Sequence, residues 1–270
     1  MTAVPLSGIG SLRPLLSHRP FGLFSDIDGT LAPIVERPDA ARVTPRCREL
    51  LGLLVERGVR VVLITGRTPE MARQMTGVEG VVYAANHGMS IWIDGVDETP
   101  EAVASYFALA GELARDLSKI DVSGVAVEHT GPNVAVHYRR AADEVTARAK
   151  IVEAIAASAS AGSFRLQEGR KVFELRPPLP IDKGTALEGL VRRFDLQAIL
   201  CLGDDRTDID MFAAVARMRR DDGVRGASIA VVSEEASGEV LAVADYSVDG
   251  VEGVEWLLGE LLTAVGEPSP

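Results

Sequence analysis

A parallel-sheet α/β core of the Rossmann-like kind, carrying one inserted α+β module, is the architecture this chain predicts. Three observations lead there. Short β-rich apolar runs alternate with amphipathic helical stretches before residue 100 and again after residue 182, the pattern of βαβ units on a parallel sheet. Between residues 101 and 181 the strands come instead as closely spaced pairs with a period of two, which signals antiparallel pairing. Carboxylate-rich segments recur directly after apolar strands, where open α/β sheets bind their ligands.

Phe21–Ser25 reads as the first strand, Val59–Ile64 as the second and Val81–Ala85 as the third. Pro45–Arg57 lies between the first two, with Leu50, Leu51, Leu53 and Leu54 at helical spacing and Gly58 as its stop. Another helix opens near Pro69. Within the insertion, a helix (Glu101–Leu117) precedes strands Gly124–Glu128 and Asn133–Arg139; a second helix (Asp143–Ala157) precedes strands Phe164–Glu168 and Lys171–Arg176. The first pattern then resumes with helix Lys183–Phe194, strand Ala198–Leu202, helix Asp208–Arg217, strand Ala227–Val232 and helix Val251–Val265. The domain reading is residues 1–100 with 182–270 as the core and 101–181 as an insertion. No internal repeat is present.

Composition narrows the function classes. The 270 residues include 28 Lys+Arg and 39 Asp+Glu, a net charge of −11, with 47% hydrophobic and 25% charged residues, as in soluble globular proteins. Without a basic excess there is nothing to displace counterions from a phosphate backbone, which excludes a nucleic-acid partner. No run of 18 apolar residues occurs and the N-terminus does not read as a signal peptide, so neither a membrane span nor export is expected. The two cysteines, Cys47 and Cys201, are far apart and suit a reducing cytoplasm.

The first strand ends in Asp26-Ile27-Asp28-Gly29-Thr30. Two carboxylates at i and i+2 on a sheet edge can supply a nucleophile and a metal ligand, provided the chain turns at Gly29; capping of a plain turn is the competing reading. The second strand ends in Thr65-Gly66-Arg67, where a hydroxyl and a backbone N–H suit a phosphate oxygen, or where Thr65 simply caps a helix. Gly203-Asp204-Asp205-Arg206-Thr207-Asp208 follows a later strand; three carboxylates so close repel one another unless a cation binds, and oxygen-only ligands suit Mg²⁺. Lys183 opens a helix directly after the insertion, where it can neutralise a carboxylate and a phosphoryl group together.

The order DxDGT, TGR, DKG, GDDxTD resembles the haloacid dehalogenase superfamily of aspartate-nucleophile phosphatases, and the position of the insertion resembles its members with an α/β cap there. More narrowly, the chain is similar to the trehalose-6-phosphate phosphatases, through Ser25–Ile34, Asn86-His87-Gly88, Glu128, His137-Tyr138-Arg139, Gly169–Pro177 and Gly203–Phe212. The resemblance implies Mg²⁺-dependent hydrolysis of trehalose 6-phosphate to trehalose and phosphate through an aspartyl-phosphate, in a chain of the cytoplasm. Asp26 would attack phosphorus, and Asp28 would be general acid and base. Thr65, Gly66 and Lys183 would hold the phosphoryl group. Mg²⁺ would sit on the Asp26 and Asp204 carboxylates and the Asp28 main-chain carbonyl, with Asp205 and Asp208 orienting these ligands or joining them. The inserted module would be the cap that recognises sugar hydroxyls through Glu128, Arg139, Arg170 and Glu174. Asn86 and His87 are further substrate-side candidates, and His137 either packs or supports Glu128. Thr130 and Arg170 stand where the family usually has lysine, which keeps sucrose phosphate, glycosyl-phosphoglycerate and validoxylamine-type phosphates open as alternatives. A catalytically silent sugar-phosphate sensor would have lost the nucleophile, the acid/base or the lysine, and all are present.

Overall fold

The computed structural model describes residues 2–35, 40–169, 171–233 and 238–266. The chain divides into two units, Met1–Glu98 with Ile181–Pro270, and Thr99–Pro180. The first unit opens with a two-residue edge strand β1 (Val4–Pro5) and a short helix α1 (Arg13–Leu16). Strand β2 (Phe21–Ser25) is buried at all five positions, as a parallel strand covered on both faces requires. Helix α2 (Pro45–Glu56) starts where side-chain chemistry places it. The Thr44 hydroxyl accepts from the Cys47 N–H at 3.1 Å and Pro45 occupies the first turn. Strand β3 (Arg60–Ile64), helix α3 (Pro69–Thr76), capped by Thr68, and strand β4 (Val82–Ala85) follow.

A hairpin absent from the sequence-based expectations then closes this segment, β5 (Ser90–Ile93) with β6 (Val96–Asp97). Its turn is Asp94-Gly95, with φ of 49° and 88°, the left-handed pair that suits a two-residue hairpin loop.

The second unit has helix α4 (Glu101–Leu117), strands β7 (Ala126–Thr130) and β8 (Asn133–His137), helix α5 (Glu144–Ala157), and strands β9 (Arg165–Gly169) and β10 (Val172–Arg176). The strands form an antiparallel sheet in the order β7-β8-β10-β9. Val134, Val136, Phe173 and Leu175 point to one face and pack with Leu113 and Leu117 of α4 and Ile151 and Ile155 of α5. Among the strand limits that differ from expectation, two have a local cause. β7 begins at Ala126 because Val125 N–H closes a turn onto Val122 O at 3.1 Å. β8 ends at His137, and Arg139 lies in the turn that Ala141 N–H closes onto Tyr138 O.

Back in the first unit come helix α6 (Lys183–Arg193), strand β11 (Ala198–Gly203), helix α7 (Ile209–Asp221), strand β12 (Arg225–Val232), helix α8 (Gly238–Val243), strand β13 (Tyr246–Asp249) and helix α9 (Gly250–Val265). Asp208, expected inside α7, lies in the preceding 3₁₀ turn Arg206–Asp208. The nine strands form one sheet, β1-β13-β12-β11-β2-β3-β4-β5-β6, parallel except at the β4-β5-β6 edge. One face packs under α2, α3 and α9 through Leu50, Leu54, Met75 and Leu258, the other under α6 and α7 through Leu187, Leu190, Phe212 and Met218. Among the described residues no helix is long and apolar enough to cross a membrane.

Candidate functional site

Register places the site. Ser25, the last residue of β2, is level with Leu63 of β3 and with Leu202 of β11, so the residues following all three strands emerge along one sheet edge. Asp26 is tied to that edge by its own N–H bond to Leu202 O at 3.1 Å. The chain winds from β2 through β3 to β4 on one side, while β11, β12 and β13 lie on the other. The β2/β11 boundary is therefore the switch point, where such sheets open a crevice. A cavity of about 400 Å³ lies there, lined by Asp26, Asp28, Arg67, Asp204 and Asp205 among others.

The turn anticipated after Asp28 is present. Gly29 has φ 79° and donates to Ala32 O at 2.8 Å. A Cβ there would stand 2.0 Å from an Asp204 carboxylate oxygen, so only glycine lets the two acidic segments meet. Thr30 Oγ1 donates to Asp204 Oδ1 at 2.9 Å across the same gap. Lys183 arrives from α6, whose start is fixed by a capping box: Thr185 N–H donates to Asp182 Oδ1 at 2.7 Å and Asp182 N–H to Thr185 Oγ1 at 2.9 Å.

Lys183 Nζ lies 3.0 Å from Asp26 Oδ1 and 2.7 Å from Asp208 Oδ1. Asp26, Asp204 and Asp208 each offer a carboxylate oxygen within 4.8 Å of the others, and all three are buried. Burial and the neighbouring carboxylates push Asp26 well above the ordinary carboxylate range, with Lys183 pulling the other way. Burial and the charge of Asp208 push Asp204 up to about 7. Burial opposes the charge on Lys183, but Asp208 and Asp26 outweigh it and hold the ammonium above its ordinary value. With all three carboxylates ionised, the one buried ammonium would leave two negative charges unbalanced, and the raised Asp26 and Asp204 reflect that imbalance. A bound divalent cation would supply that balance, and the all-oxygen donor set would suit a hard one.

Within the trio the roles divide. Asp208 commits one oxygen to Lys183 and the other to the N–H groups of Asp204 (2.9 Å) and Asp205 (3.0 Å). Asp208 thus has both oxygens engaged, organising the lysine and the loop, whereas Asp26 and Asp204 each keep an oxygen that could hold an ion. Asp205 stands apart from the trio; it is exposed and its carboxylate caps the 3₁₀ turn through Arg206 N–H.

Thr65 is buried, and its hydroxyl accepts from Arg67 N–H at 3.2 Å. Gly66 is next to it in a close packing, since a Cβ on Gly66 would stand 2.7 Å from His87 Nε2. Asn86 and His87 adopt left-handed φ of 51° and 59°, and their N–H groups bond Arg67 O and Thr65 O, both at 2.8 Å. Asn86 is fully buried with its amide on Ser90 Oγ at 3.0 Å, so it braces the Thr65–Arg67 loop from behind. Arg67 was assigned no role from the sequence, yet its guanidinium holds Asp28 through two hydrogen bonds, Nε to Oδ2 at 2.9 Å and Nη2 to Oδ1 at 2.6 Å.

In the second unit, Glu128 on β7 and Glu174 on β10 share a register line through Ala135. Both therefore face away from the helices, two strands and so about 10 Å apart. Glu128 meets His137 Nε2 at 3.1 Å and Thr130 Oγ1 at 3.3 Å; Glu174 meets Arg176 Nη2 at 3.0 Å. His137 thus supports Glu128. Arg139 is exposed in its turn, off the strand where it was expected. Arg170 lies outside the described residues.

This arrangement has counterparts among known proteins. A trehalose-phosphate phosphatase of Mycobacterium avium is 36% identical over 247 residues, 87% of this chain and 60% of that protein. A Mycobacterium tuberculosis protein described as an uncharacterized glycosyl hydrolase is also 36% identical, over 76% of this chain but only 16% of its own length. The chain thus spans less than two thirds of these relatives' own lengths. The C-terminal domain of Candida albicans trehalose-6-phosphate phosphatase shares the fold, with a TM-score of 0.69 and 22% identity over 97% of this chain and 98% of that one. With the trehalose-phosphatase family matched across residues 24–252, from within β2 to the start of α9 and so through every strand end described above, the chain belongs to that family.

Proposed function

We propose that this chain is a cytoplasmic, metal-dependent phosphatase that hydrolyses trehalose 6-phosphate to trehalose and phosphate through an aspartyl-phosphate. The observation that carries the reading is Lys183 seated between Asp26 and Asp208, with Asp204 completing the acidic trio. A nucleophile must be both anionic and pointed at phosphorus, and the buried ammonium serves both needs. Asp26 Oδ forms the new O–P bond as the sugar–oxygen–phosphorus bond breaks, and Asp28 hands the departing sugar oxygen its proton. Asp28 then takes a proton from the water that attacks phosphorus, and Asp26 leaves as a carboxylate. Thr65, Gly66 and Lys183 hold the phosphoryl oxygens, where positioning and electrostatics do most of the work. Mg²⁺, held by the Asp26 and Asp204 carboxylates and the Asp28 main-chain carbonyl, would neutralise charge on the transferring group when bound.

Sugar recognition is assigned to the second unit, through Glu128 and Glu174 on the sheet face away from its helices, Arg139 in the turn after β8, and Arg170. The domain roles follow: residues 1–100 and 182–270 as the catalytic core and 101–181 as the specificity module. The buried free cysteines Cys47 and Cys201 suit a reducing compartment. A panel of sugar phosphates tests the substrate. Trehalose 6-phosphate should give the highest kcat/KM, ahead of glucose 6-phosphate and sucrose 6-phosphate. If it ranks no better than glucose 6-phosphate, another sugar phosphate is the substrate.

A further inference from the structure

An acid/base carboxylate is effective only if its oxygens face the reacting proton, and an exposed aspartate on a turn has two free torsions to lose. Asp28 sits on such a turn, half-buried, with no regular strand or helix to orient it. Its side chain is instead clamped by the Arg67 guanidinium, one N–H on each oxygen at 2.9 and 2.6 Å. Such a fork fixes the plane of the carboxylate as well as its position. Each carboxylate oxygen keeps a second lone pair, which stays available to the reacting proton.

Arg67 is itself held firmly. Its N–H donates to Thr65 Oγ1 at 3.2 Å and its carbonyl accepts from Asn86 N–H at 2.8 Å. Asn86 and His87 both take left-handed backbone angles, which non-glycine residues adopt at a cost. The buried loop therefore transmits its rigidity through Arg67 to a carboxylate that the sheet does not otherwise control.

From this geometry we infer that Arg67 is a positioning residue, acting through Asp28 to aim its carboxyl group at the leaving oxygen of the sugar. The inference rests on the phosphatase reading above. It separates Arg67 from Lys183 and Thr65, whose assigned task is the phosphoryl group itself.

The test exploits leaving groups. A sugar alkoxide needs a proton as it departs, whereas p-nitrophenolate does not. kcat/KM reports events through the departure of the first leaving group, so hydrolysis of the aspartyl-phosphate does not enter it. R67Q should lower kcat/KM for trehalose 6-phosphate by about 100-fold and for p-nitrophenyl phosphate by less than about 5-fold. R67K should recover only part of the loss, since an ammonium contacts one oxygen without fixing the carboxylate plane. On a D28N background, R67Q should add less than about 3-fold. Retained turnover of the aryl phosphate shows that the site is folded, and R67K carries the comparison if R67Q is insoluble. Equal losses on both substrates, full rescue by R67K, or an undiminished loss on the D28N background each overturn the inference. Wild-type protein inactive on both phosphates overturns the phosphatase reading instead.

Discussion

Lys183 is the residue on which the site's electrostatics turn. It is 3% exposed, and it offsets Asp208 at 0% exposure and Asp26 at 8% on their side chains. Replacing it by an apolar residue of similar length leaves carboxylates buried without a counter-charge, and such a break costs about 3–5 kcal/mol. K183M should therefore lose stability of that size in urea unfolding at pH 7, as well as activity. A K183M protein as stable as wild type would mean that solvent reaches the carboxylates and that their burial is not maintained. Asp205 is a contrasting case at the same scale. It shares a sequence cluster with Asp204 and Asp208 and lines the same cavity, but it is exposed and one of its oxygens caps the 3₁₀ turn through Arg206 N–H, so it is not part of the buried trio.

At the scale of elements, helix caps explain why the chain's chemistry arrives where it does. Asp143 caps α5 by accepting from Thr146 N–H at 3.0 Å and from the Thr146 hydroxyl at 2.6 Å. Those bonds, the hydroxyl's first, hold the Asp143 carboxyl below its ordinary value. A carboxyl lowered on folding contributes stability that is full above its unfolded value, about pH 4, and that fades as the pH falls through the folded value. D143A should thus lower the Tm at pH 7, and the gap from wild type should narrow below pH 4. A gap independent of pH between 7 and 3 would show that the ionised carboxylate is not what caps the helix. Legibility follows the same local rule. Helices α2, α3, α5 and α6 were readable because caps and apolar periodicity lie within one element. The β5–β6 hairpin went unread although Asp94-Gly95 is a turn signal, because its strands are short and only partly alternating. Strands β1 and β13 carry too few residues for a period. Arg67 and Asp28 are 39 residues apart, and nothing in spacing foretells that the two will meet; sheet register does it.

For the whole molecule, the excess of acid over base that excluded a nucleic-acid partner becomes an argument for a cation. Asp26, Asp204 and Asp208 gather at the β2/β11 switch point of the first unit, and among the described residues no comparable buried cluster lies in the second. An ion bound there would balance two charges that the fold otherwise holds buried together. Ligand binding to the native state alone stabilises it by about 2.7 kcal/mol at one hundred times the Kd. Mg²⁺ should therefore slow hydrogen exchange in Leu202–Asp208 and around Asp26, and raise the Tm of the wild-type chain, while β7 to β10 exchange as before. D204N should abolish both responses and D205N should keep them, because only Asp204 belongs to the buried trio. Protection rising equally in the second unit would indicate a general salt effect. Responses surviving in D204N would place the ion elsewhere. A response lost in D205N would put Asp205 among the ligands.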